Sequence, residues 1–448
     1  MRRTGRWSRR NTSVLLAAGL LLLGGCMDIV GLEALRAQPF EVWLVDQSDS
    51  PGLAYGGTLY IYDSADLRPS APEETAPRER IDLAGEVATM CMASTGANPV
   101  RPHMLLFNRD HTHAVLSFVV SGHVVVLDAK ARRPLSCTRT TQSPTGRQAH
   151  AAYPAPDGSY IVVANQNGKR LERINADFGM GTFTPDENAT LDLAGCTTPS
   201  GAPCQSSDLR PDNAPICPIV ESSSRYVFVT LRGGGLFVVD ARQTPMQIVA
   251  EYDRSAVKGN GCGGVQVDSD MYINSGGRPG PLGHLDLYGF DVYRLPATGY
   301  AEGRGPNLPA PRIVFSAAGE HDSHGMAATR RGRYLWVMDR HANVAEILST
   351  SAGRRVHTVD LAGMLTNDPA PDLVDAAPSG DWLFVALRGS TPLSGDPHIA
   401  TGSTPGLGII QVDRSGRDGR LAAVLRITNV GADGVERADA HAVRVRPR

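Results

Sequence analysis

The chain has 448 residues, with 48 glycines, 31 prolines, 6% aromatic residues and a formal net charge of −2. This charge excludes a strongly basic nucleic-acid-binding protein, and the absence of long helical periodicity argues against a mainly helical fold. The composition favours many short strands joined by many turns.

The start of the chain, residues 1–25, has the features of an export signal. Five arginines precede a ten-residue apolar run from Val14 to Leu23, which is too short for a permanent membrane helix. The sequence Leu23-Gly24-Gly25-Cys26 is similar to a bacterial lipobox, in which the cysteine is lipidated. We therefore expect a cell-envelope lipoprotein anchored through Cys26, on the periplasmic or cell-surface side of the outer membrane. An ordinary cleaved signal with a chance cysteine is the alternative.

Removal of this signal changes the charge of the chain. It leaves 39 basic residues (44 less five) against 46 acidic ones, a net charge of −7. Because this bulk charge disfavours nucleic acid, we expect no nucleic-acid partner. We expect a monomer that is attached to the membrane by its lipid, with residues 26–40 as a linker and residues 41–448 as a single domain.

The next feature is a repeated pattern of a histidine, a polar turn and an aromatic residue that begins an apolar run. Tyr160 follows His150 by ten residues, and Tyr334 follows His324 by the same distance. Each copy predicts two β-strands on a tight turn, which is one unit of a repeat protein.

Alternation and apolar runs extend this unit to groups of four strands. Three strands are left over after the signal, at Val42–Val45, Thr58–Tyr62 and Arg80–Leu83, and one at the C-terminus, from His441 to Val445. One C-terminal and three N-terminal strands complete a last sheet, which closes a ring and removes exposed edges. Two β-sandwiches would leave the lone C-terminal strand unexplained. We predict an all-β, seven-bladed β-propeller whose six other blades span 103–138, 150–193, 217–252, 262–316, 324–361 and 372–427.

Two stretches resemble known propeller repeats. Tyr160-Ile-Val-Val-Ala-Asn165 and Tyr226-Val-Phe-Val-Thr230 resemble the Tyr-Val-Thr-Asn repeat of YVTN-type propellers, and Ser323-His324-Gly325 resembles the propeller of nitrous oxide reductase and related copper proteins. The resemblance implies the fold. It does not imply the reductase reaction, because the ligand cluster of that enzyme's second copper domain has no counterpart here.

Besides Cys26 the chain has six cysteines, an even number that suits disulfides in an exported protein. Cys196 and Cys204 lie eight residues apart and are expected to pair. We then expect Cys91 to pair with Cys137 and Cys217 with Cys262, although spacing alone leaves the connectivity open.

The candidate metal site lies where the inner strands of the blades begin. Because the blades are in register, residues at this position should surround one end of the central channel. Imidazole and carboxylate groups suit copper, which we favour, or zinc. The alternative is a packing or water-binding role, and a Cys217–Cys262 disulfide would remove both thiols as ligands. The candidate ligands are His103, His150, His324, His441 and Asp372.

A second set of candidates lies in turns at the same end. Arginine forks bind carboxylate or phosphate oxygens, so this set could hold an anionic ligand. Solvated polar turns are the alternative. The candidates are Arg232, Arg340, Arg388, Asn165 and His321.

These features leave three functional hypotheses. The first is a binding propeller that holds a transition metal. The second is a metal-dependent periplasmic enzyme, either an oxidoreductase or a lactonase-like hydrolase, although a single carboxylate in the ring counts against a lactonase. The third is a scaffold that binds envelope proteins through the insertions 275–284 and 389–406.

Overall fold

A computed structural model describes residues 38–279, 285–286, 289–300, 308–391 and 401–448. Seven sheets of four antiparallel strands form a ring, which confirms the predicted β-propeller. The proposed signal, Cys26 and parts of the insertions 275–284 and 389–406 lie outside the described residues.

The first three blades follow the predicted groups closely. Blade 1 contains β4 (Pro102–Phe107), β5 (His113–Phe118), β6 (His123–Asp128) and β7 (Arg133–Arg139). Blade 2 contains β8 (Ala149–Pro154), β9 (Tyr160–Asn165), β10 (Arg170–Asp177) and β11 (Thr182–Asp192). Blade 3 contains β12 (Pro215–Val220), β13 (Tyr226–Leu231), β14 (Leu236–Asp240) and β15 (Gln247–Tyr252).

The next three blades differ mainly in blade 4, where a strand expected over 285–293 instead begins at Phe290. Blade 4 contains β16 (Gly264–Val267), β17 (Asp270–Asn274), β20 (Phe290–Pro296) and β21 (Arg312–Ala317), beside a separate pair β18 (Arg278–Pro279) and β19 (Leu285–Asp286). Blade 5 contains β22 (Ser323–Thr329), β23 (Tyr334–Asp339), β24 (Val344–Ser349) and β25 (Arg354–Asp360). Blade 6 contains β26 (Pro371–Ala376), β27 (Trp382–Leu387), β28 (Gly406–Val412) and β29 (Gly419–Arg426).

Blade 7 joins the two ends of the propeller, as predicted. Its inner strand pairs antiparallel with the first N-terminal strand, with Trp43 opposite Arg444 and Leu44 opposite Val443. This pairing satisfies the backbone edges that an open ring would expose. Blade 7 contains β30 (Ala440–Pro447), β1 (Phe40–Asp46), β2 (Thr58–Asp63) and β3 (Glu79–Asp82).

The core lies between the blades, because both faces of the middle strands are covered. All residues of β9, β13 and β27 are buried, and their near-continuous apolar runs are typical of strands covered on two faces. The inner strands approach each other closely enough to require a glycine. A Cβ atom on Gly325 of β22 would lie 2.2 Å from the carbonyl oxygen of Asp372 on β26.

One element was missed by the sequence patterns. Helix α1 (Glu86–Thr95) follows β3, and its buried side chains are only Val87, Ala88 and Cys91. Met92 is apolar but 45% exposed, so the apolar residues of the helix form no single stripe that would have predicted it. In the described part of the chain, no helix has the length and hydropathy of a membrane span.

The three predicted disulfides are all present. Cys91 of α1 is bonded to Cys137 of β7, Cys196 is bonded to Cys204, and Cys217 of β12 is bonded to Cys262 before β16. The last bond ties the inner edges of blades 3 and 4 together.

Candidate functional site

The four histidines predicted at the inner strand starts lie together at one end of the propeller. The rings of His103 and His441 stack with their centroids 3.6 Å apart. The His103 and His150 rings are 4.7 Å apart, and the His324 and His441 rings are 5.2 Å apart. All four side chains are buried. Inner strands from blades 1, 2, 5 and 7 thus supply one continuous row of imidazoles, which we call the histidine row.

Asp372 lies beside His324 at the end of this row and accepts hydrogen bonds from three side chains. Its Oδ1 atom lies 2.5 Å from Nδ1 of His324, and its Oδ2 atom accepts hydrogen bonds from Arg340 at 3.1 Å and Arg388 at 2.7 Å. Burial opposes the charged form, but the charge of Arg340 and the hydrogen bond from His324 outweigh it and hold the pKa of Asp372 well below its usual range. Asp372 is therefore an anion at neutral pH.

The hydrogen-bond network continues from Arg388 across the chain closure. Arg388 donates two hydrogen bonds to Asp439, at 2.7 and 2.8 Å, and Asp439 accepts one from Gln47 at 2.6 Å. The Gln47 Oε1 atom lies 2.8 Å from Nδ1 of His103. The network therefore links blade 6 to both strands that close the propeller, β30 and β1, and ends at His103 in the histidine row.

Burial favours the neutral state for two members of the histidine row, His150 and His441. Burial lowers the pKa of His150 to about 3. Burial likewise lowers the pKa of His441 well below its ordinary value, although Asp372 opposes the shift. The Nδ1 atom of His441 donates to the carbonyl oxygen of His103 at 3.0 Å, which fixes its ring.

The two thiols predicted nearby are not available as ligands. Cys217 and Cys262 lie beside His150 but are bonded to each other. Thiolate ligation at this site is therefore excluded while the disulfide is intact.

The predicted anion-binding residues do not share one environment. Arg340 and Arg388 are fully buried, and Arg340 also pairs with Asp322 at 2.7 Å. These two guanidinium groups form ion pairs with buried carboxylates. Arg232 is partly exposed and pairs with Asp212 at 2.5 Å, outside this network.

Asn165 and His321 also have protein partners. The Asn165 amide donates to the Thr141 carbonyl and to Glu172, and its oxygen accepts from the backbone of Gln148 and Gly168. Its four hydrogen-bonding positions are thus used within the protein. His321 is partly exposed, and its Nδ1 atom lies 2.5 Å from the buried carboxylate of Asp339.

Sequence reasoning missed the acidic partners of this network, Asp322 and Asp439. Both stand two residues before an inner-strand histidine, in Asp322-Ser-His324 and Asp439-Ala-His441. This shared spacing was a usable signal, because residues two apart on an extended segment point to the same side.

No family model and no curated protein matches the chain. Solved structures do resemble it. A periplasmic gluconolactonase from Pseudomonas aeruginosa matches with a TM-score of 0.53 at 14% identity, over 91% of this chain and 99% of the other. A putative 6-phosphogluconolactonase from Bacteroides fragilis has a TM-score of 0.51 at 12% identity, over 91% and 98% of the two chains.

A protein from Lactobacillus plantarum is also similar, with a TM-score of 0.52 at 12% identity over 91% of this chain and 99% of the other. Identities this low show the fold alone. By architecture and by these likenesses, the chain is a seven-bladed β-propeller.

Proposed function

We propose that the end of the propeller that carries the histidine row is the active site of a lactone hydrolase, in which His324 is the general base and Asp372 orients it. The observation that carries the proposal is the 2.5 Å contact between His324 Nδ1 and Asp372 Oδ1. A carboxylate that accepts the Nδ1 proton fixes the imidazole and directs Nε2 toward a reactant.

The chemistry then follows from this orientation. Nε2 of His324 takes a proton from a water molecule as the water oxygen attacks the ester carbonyl carbon. The ring C–O bond breaks, and the proton passes to the departing alkoxide oxygen, so that water and lactone give a hydroxy acid. Arg340 and Arg388 do not need to touch the substrate, because their role is to keep Asp372 anionic and fixed.

Two further observations support a hydrolase. Solved structures of the same fold include proteins named gluconolactonase and 6-phosphogluconolactonase. The sequence indicated only one carboxylate at this end, whereas the network also contains Asp322 and Asp439. The side chain of His324 is 4% exposed, so a substrate would have to enter at this end of the propeller to reach it.

The test is a pH-stat assay of lactone opening, beginning with glucono-δ-lactone and continuing through other δ- and γ-lactones. We expect the wild-type protein to open the lactone faster than the spontaneous reaction does. The rate acceleration by His324→Gln should be lower than that of wild type by about 100-fold or more. His357→Gln is the matched control, since His357 lies on the outer strand β25 and is half exposed. No acceleration with any lactone, or equal rates for wild type and His324→Gln, would rule the proposal out.

A second candidate function is binding of a transition metal, with copper favoured over zinc. Its support is that His324, Asp372 and His441 offer donor atoms within 4.8 Å of one another. In addition, Nδ1 of His150 is buried and has no hydrogen-bond partner among the described residues. Neutral imidazoles are suitable ligands for copper and zinc. Against it, two guanidinium groups already contact Asp372 and would repel a cation there.

Elemental analysis separates the two candidates. For a metal site we expect about one equivalent of copper or zinc in protein purified without chelator, and its loss in a His150→Ala/His324→Ala variant. Lactone turnover that persists after dialysis against chelator favours the hydrolase without metal assistance. A metal-free wild-type protein that also fails to take up added copper ends the second candidate.

We also propose export and lipid anchoring at Cys26. The three disulfides support an oxidising compartment, because such bonds are rare in the cytosol. Membrane fractionation should find the full chain in the envelope pellet and Cys26→Ala in the soluble fraction. Equal distribution of the two would contradict the anchor. Partners among envelope proteins stay a prediction.

A further inference from the structure

A basic crevice lies between blades 5 and 6, at the end of the propeller opposite the histidine row. It has a volume of about 580 Å³ and is lined by the β22–β23 turn and by residues 376–380 around the β26–β27 turn. His324 lies near the start of β22 and Thr329 at its end, so the length of this strand separates the histidine row from the crevice by roughly 16 Å.

Three arginines from one turn line this crevice. Arg330 pairs with Asp381 at 2.6 Å and donates to the Asp413 carbonyl, which fixes it between the blades. Arg331 and Arg333 are exposed and make no ion pair with any described residue. The crevice therefore has two guanidinium groups whose charge is not neutralised by the described part of the protein.

The crevice also contains a buried hydroxyl group that lacks a partner. Thr329 is 2% exposed, and its Oγ1 atom makes no hydrogen bond within the described ranges. The Nε atom of Arg330 is buried and unbonded in the same way. An unsatisfied buried polar atom lowers the stability of the folded protein, so a ligand that bonds to these atoms would recover this cost.

The backbone of the turn is held in an uncommon conformation. Arg330, Arg331 and Gly332 have consecutive φ angles of 52°, 57° and 80°, all in the left-handed region. Side chains other than glycine, asparagine and aspartate rarely adopt this region, and such residues concentrate at functional sites. Here the conformation places successive arginines on one short turn.

A crevice at the corresponding position between blades 1 and 2 shows that the basic character is not a property of the fold. That crevice, of about 300 Å³, is lined by Asp110, Asp157 and Asp177 with Arg109. Its position between neighbouring blades is the same, but its charge is opposite. The cluster Arg330–Arg333 therefore distinguishes one crevice from the other.

We propose that the crevice between blades 5 and 6 binds a small molecule that carries a phosphate group. A phosphate near neutral pH carries a charge close to −2, which the two unpaired guanidinium groups of Arg331 and Arg333 would neutralise. The Thr329 hydroxyl and Arg330 Nε would supply further hydrogen bonds. The volume exceeds what phosphate alone fills, so the organic part of the molecule would occupy the rest.

Isothermal titration calorimetry of the full protein with inorganic phosphate and with glycerol phosphate tests the proposal. We expect saturable binding that weakens with added salt, and binding at least about 10-fold weaker for Arg331→Gln/Arg333→Gln. Thr329→Val keeps the side-chain shape, so it should also weaken binding without lowering the melting temperature. Arg109→Gln in the acidic crevice is the matched control and should leave binding unchanged.

Several outcomes would overturn the assignment. They are no saturable binding up to about 10 mM ligand, equal affinity for the wild type and the double variant, or equal affinity for acetate and phosphate. A lipid headgroup could supply the same phosphate chemistry. Co-sedimentation with phosphatidylglycerol vesicles in the absence of saturable phosphate binding would therefore also overturn the small-molecule assignment.

Discussion

His324 and Asp372 are 48 residues apart in the chain, yet His324 Nδ1 and Asp372 Oδ1 lie 2.5 Å apart across the boundary between blades 5 and 6. The contact joins two inner strands that belong to different sheets. The proposed site is therefore built between blades rather than within one. Groups that would serve catalysis also hold the ring together, so conservative variants are needed to separate the two roles.

The first prediction concerns the charge of Asp372. Asp372→Asn keeps the side-chain shape but removes the anion that Arg340 and Arg388 share. Removing one partner from a buried ion-pair network leaves uncompensated charge, so we expect a loss of about 3–5 kcal/mol in the free energy of unfolding. Guanidinium-induced unfolding followed by intrinsic fluorescence would measure it.

Asp66→Asn is the control for this experiment. Asp66 is exposed, and the substitution should change the unfolding free energy by no more than about 0.5 kcal/mol. A loss of under about 1 kcal/mol for Asp372→Asn would mean that the ion pairs of Asp372 contribute little to the stability of the folded protein.

The second prediction concerns the close approach of blades 5 and 6. A Cβ atom at Gly325 would lie 2.2 Å from the Asp372 carbonyl oxygen and 2.8 Å from Leu373 Cα, both backbone atoms that cannot move aside cheaply. Gly325→Ala should therefore destabilise the protein by about 1–3 kcal/mol and move His324 away from Asp372. Gly195→Ala is the control, because its Cβ would meet only Asp192 Oδ2 at 4.0 Å. Equal melting temperatures for the two variants would contradict the close approach.

The sequence contained most of the information about the fold. Apolar runs that begin at Tyr160, Tyr226 and Tyr334 predicted middle strands that the structure confirms, and the unpaired C-terminal strand predicted the closure. Helix α1 could not be predicted in the same way. Its apolar residues are not confined to one face, since Met92 is 45% exposed, and the disulfide that joins it to β7 is not encoded in a local pattern.

The candidate site could be predicted only in part. In-register strand starts place the histidines around one end, because blade geometry repeats. The pairing of Arg340 and Arg388 with buried carboxylates depends on side-chain directions across blade boundaries, which residue spacing does not encode. Arginines expected to contact a ligand therefore have partners within the protein.

The third prediction concerns Asp46, which lies beside the network at the chain closure. Burial raises the pKa of Asp46 to about 6, and the charge of Asp439 adds to the shift, although hydrogen bonds from Ser48 and Asp439 oppose it. Because the folded-state pKa lies above the unfolded value, Asp46 contributes stability below about pH 4 that is lost as the pH rises to about 6. We expect the unfolding free energy of wild type relative to Asp46→Asn to fall by about 3 kcal/mol over this range. Parallel pH curves for the two proteins would contradict the shift.

The fourth prediction has the opposite sign and concerns His150. Burial lowers the pKa of His150 to about 3, so the folded protein keeps the ring neutral while the unfolded chain protonates it below about pH 6.5. Its contribution to stability is thus complete above pH 6.5 and is lost as the pH falls toward 3. His150→Gln cannot bind this proton, so wild type should lose up to about 5 kcal/mol relative to the variant between pH 6.5 and 3. Urea unfolding at constant ionic strength would measure the difference. Asp46 acts in the reverse direction between pH 4 and 6. As the pH rises over this range, the stability of wild type should fall relative to Asp46→Asn and rise relative to His150→Gln. A change in the same direction relative to both variants would contradict one of the two pKa shifts.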